Sequence, residues 1–120
     1  MPRTLEPGLL EWDLSQASVR DLNHSLHHEL ARSDIRQVRI VNPEGRHSLA
    51  VGVDAPVQID ILGHAGYFIG GMNKQAEVTV HGNVGWSVAE NMMSGSLRVR
   101  GCASECAGAS MHGGLLAIEG

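Results

Sequence analysis

Two cysteines, Cys102 and Cys106, and seven histidines are the side chains best equipped for chemistry in this sequence. The C-x3-C pair offers two thiols that could bind a metal or cycle between dithiol and disulfide. A zinc site wants more ligands than this pair, and none stands beside it at a telling spacing. Cys102, Cys106 and one or more of His24, His28 and His112 would form a metal or thiol-redox centre only if the fold gathered them. Otherwise the two thiols are small residues in a turn, the ordinary behaviour of free cysteine.

His24 and His28 are four apart, the spacing of zinc-binding helices. At 100° per residue both point away from the apolar stripe Val19, Leu22, Leu26 and Leu30. No acidic or cysteine ligand completes a set, so the three helical histidines read as a solvated face. Ser87, Ser94, Ser96, Ser104 and Ser110 lie near His81 and His112 in sequence, without a nucleophile elbow or a triad order. The run Gly63-His-Ala-Gly66-Tyr-Phe-Ile-Gly-Gly does not open a helix of a βαβ unit, and no Gly-Lys-Ser/Thr occurs. The expectation is that the chain holds no catalytic, cofactor-binding or metal-ligating residue.

The glycines have a different cause. Gly63, Gly82, Gly101 and Gly120 each follow the one before by 19 residues. Ile59, Val78, Leu97 and Leu116 keep the same step, as do Ile61, Val80, Val99 and Ile118. Gly66 and Gly85 sit three residues after the first two glycines, with Ser104 in the third copy; Gly70, Ala89 and Gly108 form a small-residue column. A fixed period in apolar and glycine columns marks a repeat architecture. Each copy opens with period-two alternation, as in Val78-Thr-Val80, and the glycine that follows marks a corner or a close backbone approach. So short a strand buries nothing alone. Stacked on the next copy at about 4.8 Å it gains a hydrogen-bond ladder and a core. The predicted fold is mainly β, a right-handed parallel β-helix with 19-residue turns, preceded by one N-terminal α-helix and short strands.

Composition agrees. Fifteen glycines and only two Trp, one Tyr and one Phe suit a core of stacked aliphatic residues. A net charge of −4 without a Lys/Arg cluster argues against nucleic acid or an anionic membrane surface as partner. No apolar run is long enough to cross a membrane, and the N-terminus lacks the apolar core of a secretory leader. The expected location is the cytoplasm.

In chain order, residues 1–46 are expected to form a lead-in and a capping helix at about 18–33, and residues 47–120 the β-helix turns. Pro2, Pro7 and Gly8 read as an irregular start, with Leu9, Leu10 and Trp12 apolar enough to pack on something, such as a partner chain. Ser18 is the expected N-cap, with Asp21 three residues on, and Ser33 with Asp34 the stop. Ile35 to Asn42 alternates loosely before the turn signal at Pro43-Glu-Gly45, and Leu49, Val51 and Val53 read as a second alternating run. Both look like an opening hairpin or a degenerate first turn. The helix would then cover the open end of the coil or dock beside it.

The ladder, together with His81-Gly-Asn, Ala89-Glu-Asn-Met-Met-Ser-Gly95 and His112-Gly-Gly-Leu-Leu, resembles the GXGXG domain, the β-helix that ends the large subunit of glutamate synthase. The same domain also occurs in a subunit of formylmethanofuran dehydrogenase, which the resemblance leaves as an alternative. The stretches just quoted, with Leu22-Asn23 and Asn42-Pro43, are most similar to its stand-alone version, the small subunit of N-methylglutamate synthase, an enzyme of methylamine metabolism. The resemblance covers nearly the whole chain. It implies a subunit that is not itself catalytic, packed between an amidotransferase-like subunit and a synthase subunit that carries FMN and an iron–sulfur cluster. No family catalytic residue maps onto this sequence. Cys102 and Cys106 stand where polar or small residues are expected. Relatives run on for several more turns, so the coil reads as cut short at Gly120, with an open edge through which it could self-associate.

Overall fold

A computed structural model describes residues 2–30 and 34–120. Its elements are β1 (Arg3–Glu6), β2 (Leu9–Asp13), α1 (Val19–His28), β3 (Gln37–Val41), β4 (Gln58–Leu62), β5 (Glu77–Val80), β6 (Ser96–Val99) and β7 (Leu115–Ile118). All seven strands join one sheet in chain order. Only β1 and β2 are antiparallel; every later pair is parallel. Parallel neighbours in chain order oblige the backbone to circle once between strands. From β3 to β7 this gives a β-solenoid of about four turns.

Alternation sets the faces. In β5, Val78 and Val80 are buried while Glu77 faces out. The pairing stacks Val38, Ile59, Val78, Leu97 and Leu116 in one column, and Ile40, Ile61, Val80, Val99 and Ile118 in the next. The columns keep their register to the last strand but not their burial. Ile118 is 40 % exposed and Leu116 only partly buried, because β7 has a partner on one side alone. The column through Ile61, Val80 and Val99 is thus buried only as far as Val99.

The alternating run at Leu49, Val51 and Val53 is a turn and not a strand. Ser48, Ala50 and Gly52 all have left-handed backbone, with φ of 56°, 56° and 67°. Left-handed geometry at every second residue also produces a period of two, which sequence alternation cannot tell from a strand. The same device recurs at Phe68, Gly70 and Met72, at Ser87, Ala89 and Asn91, and at Cys106, Gly108 and Ser110. Such geometry costs about 1–2 kcal/mol at a non-glycine residue. It is held by bonds between rungs, such as Ser48 N–H to Tyr67 O and Phe68 N–H to Trp86 O, both 2.9 Å.

The start of the chain is ordered, contrary to the expected irregular lead-in. Pro7 and Gly8 turn β1 into β2, with Gly8 at φ 85°. β2 then runs parallel to β3, so the Ile35–Asn42 run begins a coil turn and is not half of a hairpin. Leu9 and Trp12 bury themselves in this same molecule. The Trp12 indole N–H is buried without an acceptor among the described residues. At the end of β2, the Asn42 amide donates to Asp13 Oδ1 at 2.9 Å. That bond, those from Ser15 and the nearby Arg3 charge hold the Asp13 carboxyl below its usual range.

Helix α1 lies on the crossover between β2 and β3. The Ser18 hydroxyl caps it by accepting the Asp21 N–H at 3.0 Å. The stop expected at Ser33 lies outside the described residues, and the α-helix itself ends at His28. Leu22, Leu26 and Leu30 join the core of the coil. The opposite edge of the helix stands in for a missing rung. In higher turns the carbonyls of Gly71, Glu90 and Ala109 each accept an N–H from the rung below. Val51 O has the equivalent place, and it accepts from His27 Nε2 at 2.6 Å. Because a carbonyl only accepts, His27 carries its proton on Nε2. Asn23 adds a bond to Ser48 O at 2.7 Å and a long one from Val51 N–H at 3.4 Å. Replacing Asn23 by Ala should therefore cost about 1–2 kcal/mol. The check is a lower urea midpoint with an unchanged slope.

Candidate functional site

The coil presents three surfaces that carry polar or aromatic side chains in files. The first is the corner after each strand. The Gly63, Gly82, Gly101 and Gly120 corners stack directly, with Gly101 N–H donating to Gly82 O at 3.0 Å and Gly120 N–H to Gly101 O at 2.9 Å. Gly85 N–H likewise donates to Gly66 O at 2.8 Å. Beside the corners, His64 Nδ1 accepts the Asn83 N–H at 2.9 Å, and Asn83 Oδ1 accepts the Cys102 N–H at 2.8 Å. His64 must therefore keep its Nδ1 lone pair free for that bond, which leaves it unavailable to a metal. These side chains are splints between rungs.

The second surface is the outward face of the sheet. The Asp60 carboxylate meets His81 Nε2 at 3.0 Å, and Gln37 and Gln58 donate to its other oxygen at 3.1 and 3.2 Å. Asp60 is mostly covered, whereas His81 is well exposed. A carboxylate-oriented imidazole can act as a general base. A nucleophile is needed to make that a covalent catalyst, and the described hydrogen bonds bring no serine hydroxyl to His81. Ser94 is engaged with the Lys74 carbonyl instead. A shallow depression of about 360 Å³ lies beside the pair, lined by Glu77, Thr79, Ser96 and Arg98 among others. It is polar and open, unlike the apolar clefts that bind small molecules.

The third surface is a turn lined with rings. His47 and Tyr67 stack at 3.8 Å between centroids and 9° between planes, and Tyr67 lies 6.0 Å and 28° from Trp86. His47 Nδ1 accepts the Tyr67 N–H at 3.0 Å. Tyr67 is 40 % and Trp86 56 % exposed.

The residues singled out for metal or redox chemistry are dispersed. Cys102 and Cys106 are free and exposed. His24 and His28 lie together on α1, 4.5 Å between rings, near the opposite end of the chain's path from the cysteines. His112 is exposed in the last turn. Among the described residues no three His, Cys, Asp or Glu side chains gather as a metal site would require. Two cysteines also fall short of the four thiolates that hold an iron–sulfur cluster. Among the described residues no helix is long and apolar enough to cross a membrane.

The Asp60–His81 pair and the ring file escape a reading by motif. Both were visible in the period: Thr79 stands 19 residues after Asp60 with His81 two further on the same face, and Trp86 follows Tyr67 by 19. His47 is hidden because the first turn is longer, with Gln37 pairing with Gln58.

Protein GlxC of Rhizobium meliloti (strain 1021) is 47 % identical to the chain over 85 residues. That match takes in 71 % of this chain but 37 % of the relative, so the chain spans little more than a third of the relative's length. No family model matches the sequence, and no solved structure does.

Proposed function

We propose that this chain is a structural, non-catalytic subunit of a glutamate-synthase-like enzyme, of the N-methylglutamate synthase type. In this reading the coil packs between an amidotransferase-like subunit and a synthase subunit holding FMN and an iron–sulfur cluster, in the cytoplasm. The observation that carries it is that four polar side chains, three of them histidines, are spent on the coil itself. His64, Asn83, His27 and His47 each hydrogen-bond the backbone of a neighbouring rung or stand in for one. Their chemistry is consumed in holding a rigid coil. The in-register glycine ladder, the Glu90-to-Gly95 stretch and the rhizobial relative support the placement in this enzyme class.

The isolated chain should bind no flavin, hydrolyse no glutamine and retain no stoichiometric metal after purification without a histidine tag. Flavin or glutaminase activity in the chain alone would overturn the reading. So would zinc or iron that is lost in Cys102→Ser and Cys106→Ser variants.

A further inference from the structure

The ring file on the third surface has a free end, and the residue there says what fits it. Ser48, Phe68 and Ser87 each donate their N–H to the carbonyl one rung up, of Tyr67, Trp86 and Glu105, all at 2.9 Å. Residues 67, 86 and 105 therefore hold equivalent places in three successive rungs, about 4.8 Å apart. Two of those places carry stacked rings. In the third, where the next ring would lie over the indole, the chain has a carboxylate. Glu105 is exposed, and among the described residues it makes no ion pair.

We propose that Trp86 and Glu105 form a docking site for an arginine side chain on the surface of a partner protein. A guanidinium is planar and weakly hydrated, so it can lie flat on an aromatic face while its N–H edge reaches a carboxylate. A lysine ammonium, compact and strongly hydrated, uses only half of this arrangement. The ring file continues beneath the platform, with Tyr67 stacked on His47 at 3.8 Å and 6.0 Å from Trp86, and such ring contacts reduce the side-chain freedom left to lose on docking. Exposed aromatic anchors backed by rigid structure are what protein interfaces concentrate at their centres. The net charge of −4 favours a basic partner as well. The site stands on its own observations, whichever enzyme the coil serves.

Trp86 gives the test its signal, since the other tryptophan, Trp12, is buried. The full chain is titrated at low salt with an acetylated, amidated Gly-Ser-Arg-Ser-Gly peptide, followed by Trp86 fluorescence and by calorimetry. The expected result is saturable binding that weakens about fivefold or more in Glu105→Gln, and as much when citrulline replaces the arginine. Trp86→Ala should abolish the calorimetric signal without changing the circular dichroism of the coil. Absence of saturable binding would overturn the proposal, and so would equal binding by the citrulline peptide or by Glu105→Gln. Light scattering supplies a further contradiction. If the wild type is a dimer and Trp86→Ala a monomer, the file is covered by a second copy and no basic partner is needed.

Discussion

Val99→Asp is expected to abolish cooperative melting of the chain, whereas Ile118→Asp should leave it nearly intact. The two residues are direct register partners in adjacent strands and carry nearly the same side chain. They differ in what lies around them. Val99 is fully buried, and its register neighbours on either side, Val80 and Ile118, are both apolar. Ile118 is 40 % exposed on the last strand, where an introduced carboxylate stays hydrated. A buried, unpaired carboxylate costs several kcal/mol, about 4–5 or more, whether it stays charged or protonates. That approaches the whole stability of a small domain, about 5–15 kcal/mol. The exposed substitution should cost within about 1 kcal/mol. Thermal melting followed by circular dichroism checks both, and equal effects would show that the last strand is as enclosed as the one beneath it.

Gly82→Ala should cost about 2–3 kcal/mol, while Gly85→Ala, three residues away on the same corner, costs about 1 kcal/mol or less. The reason is the separation of rungs and not backbone handedness, since neither glycine has a positive φ. A Cβ at Gly82 would stand 2.7 Å from the carbonyl carbon and oxygen of Gly63. Those are backbone atoms of the rung below, tied into the ladder, so they cannot yield without lengthening hydrogen bonds. A Cβ at Gly101 would meet Gly82 O at the same 2.7 Å. At Gly85 the nearest atoms are also backbone atoms of the rung below, but at 3.0 to 3.2 Å the overlap is smaller and asks for a shift of only a few tenths of an ångström. The sequence already carries this distinction. The column of Gly63 admits no other residue in four copies, whereas the column of Gly66 and Gly85 takes Ser104 in its third. Urea midpoints for the two variants decide it. Equal costs would mean that the corner glycines serve something other than close approach.

The contrast also shows how far the coil could be read in the chain. From Ile59 onward the turns are equal in length, so column alignment alone gave the register that pairs Ile59, Val78, Leu97 and Leu116. Before that point the period fails for a physical reason. β2 pairs with β3 over a crossover that must fit a helix, Leu9 facing Gln37, and the next turn is two residues longer than the later ones. Strands joined by unequal loops leave no period to find, which is why Arg3 to Asp13 read as irregular. Leu49 to Val53 misled in the opposite way, because left-handed residues at alternate positions imitate a strand. His27 is a third case. Its helical spacing places it on the polar face, and nothing in the helix tells that an unpaired carbonyl of the first turn, Val51 O, lies there. The sites were legible only through the period. The Asp60–His81 pair and the Tyr67–Trp86–Glu105 file are invisible as motifs and plain once the turns are aligned.

In the proposed role the coil contributes position, and its partners contribute chemistry. The most direct measurement is the visible spectrum and subunit content of the complex purified, through a tag on this chain, from the cells that encode it. Flavin and iron–sulfur absorbance are expected together with an amidotransferase-like and a synthase-like subunit, all lost when Val99→Asp unfolds the coil. A colourless chain recovered alone from those cells, or a coloured chain without any partner, would contradict that role.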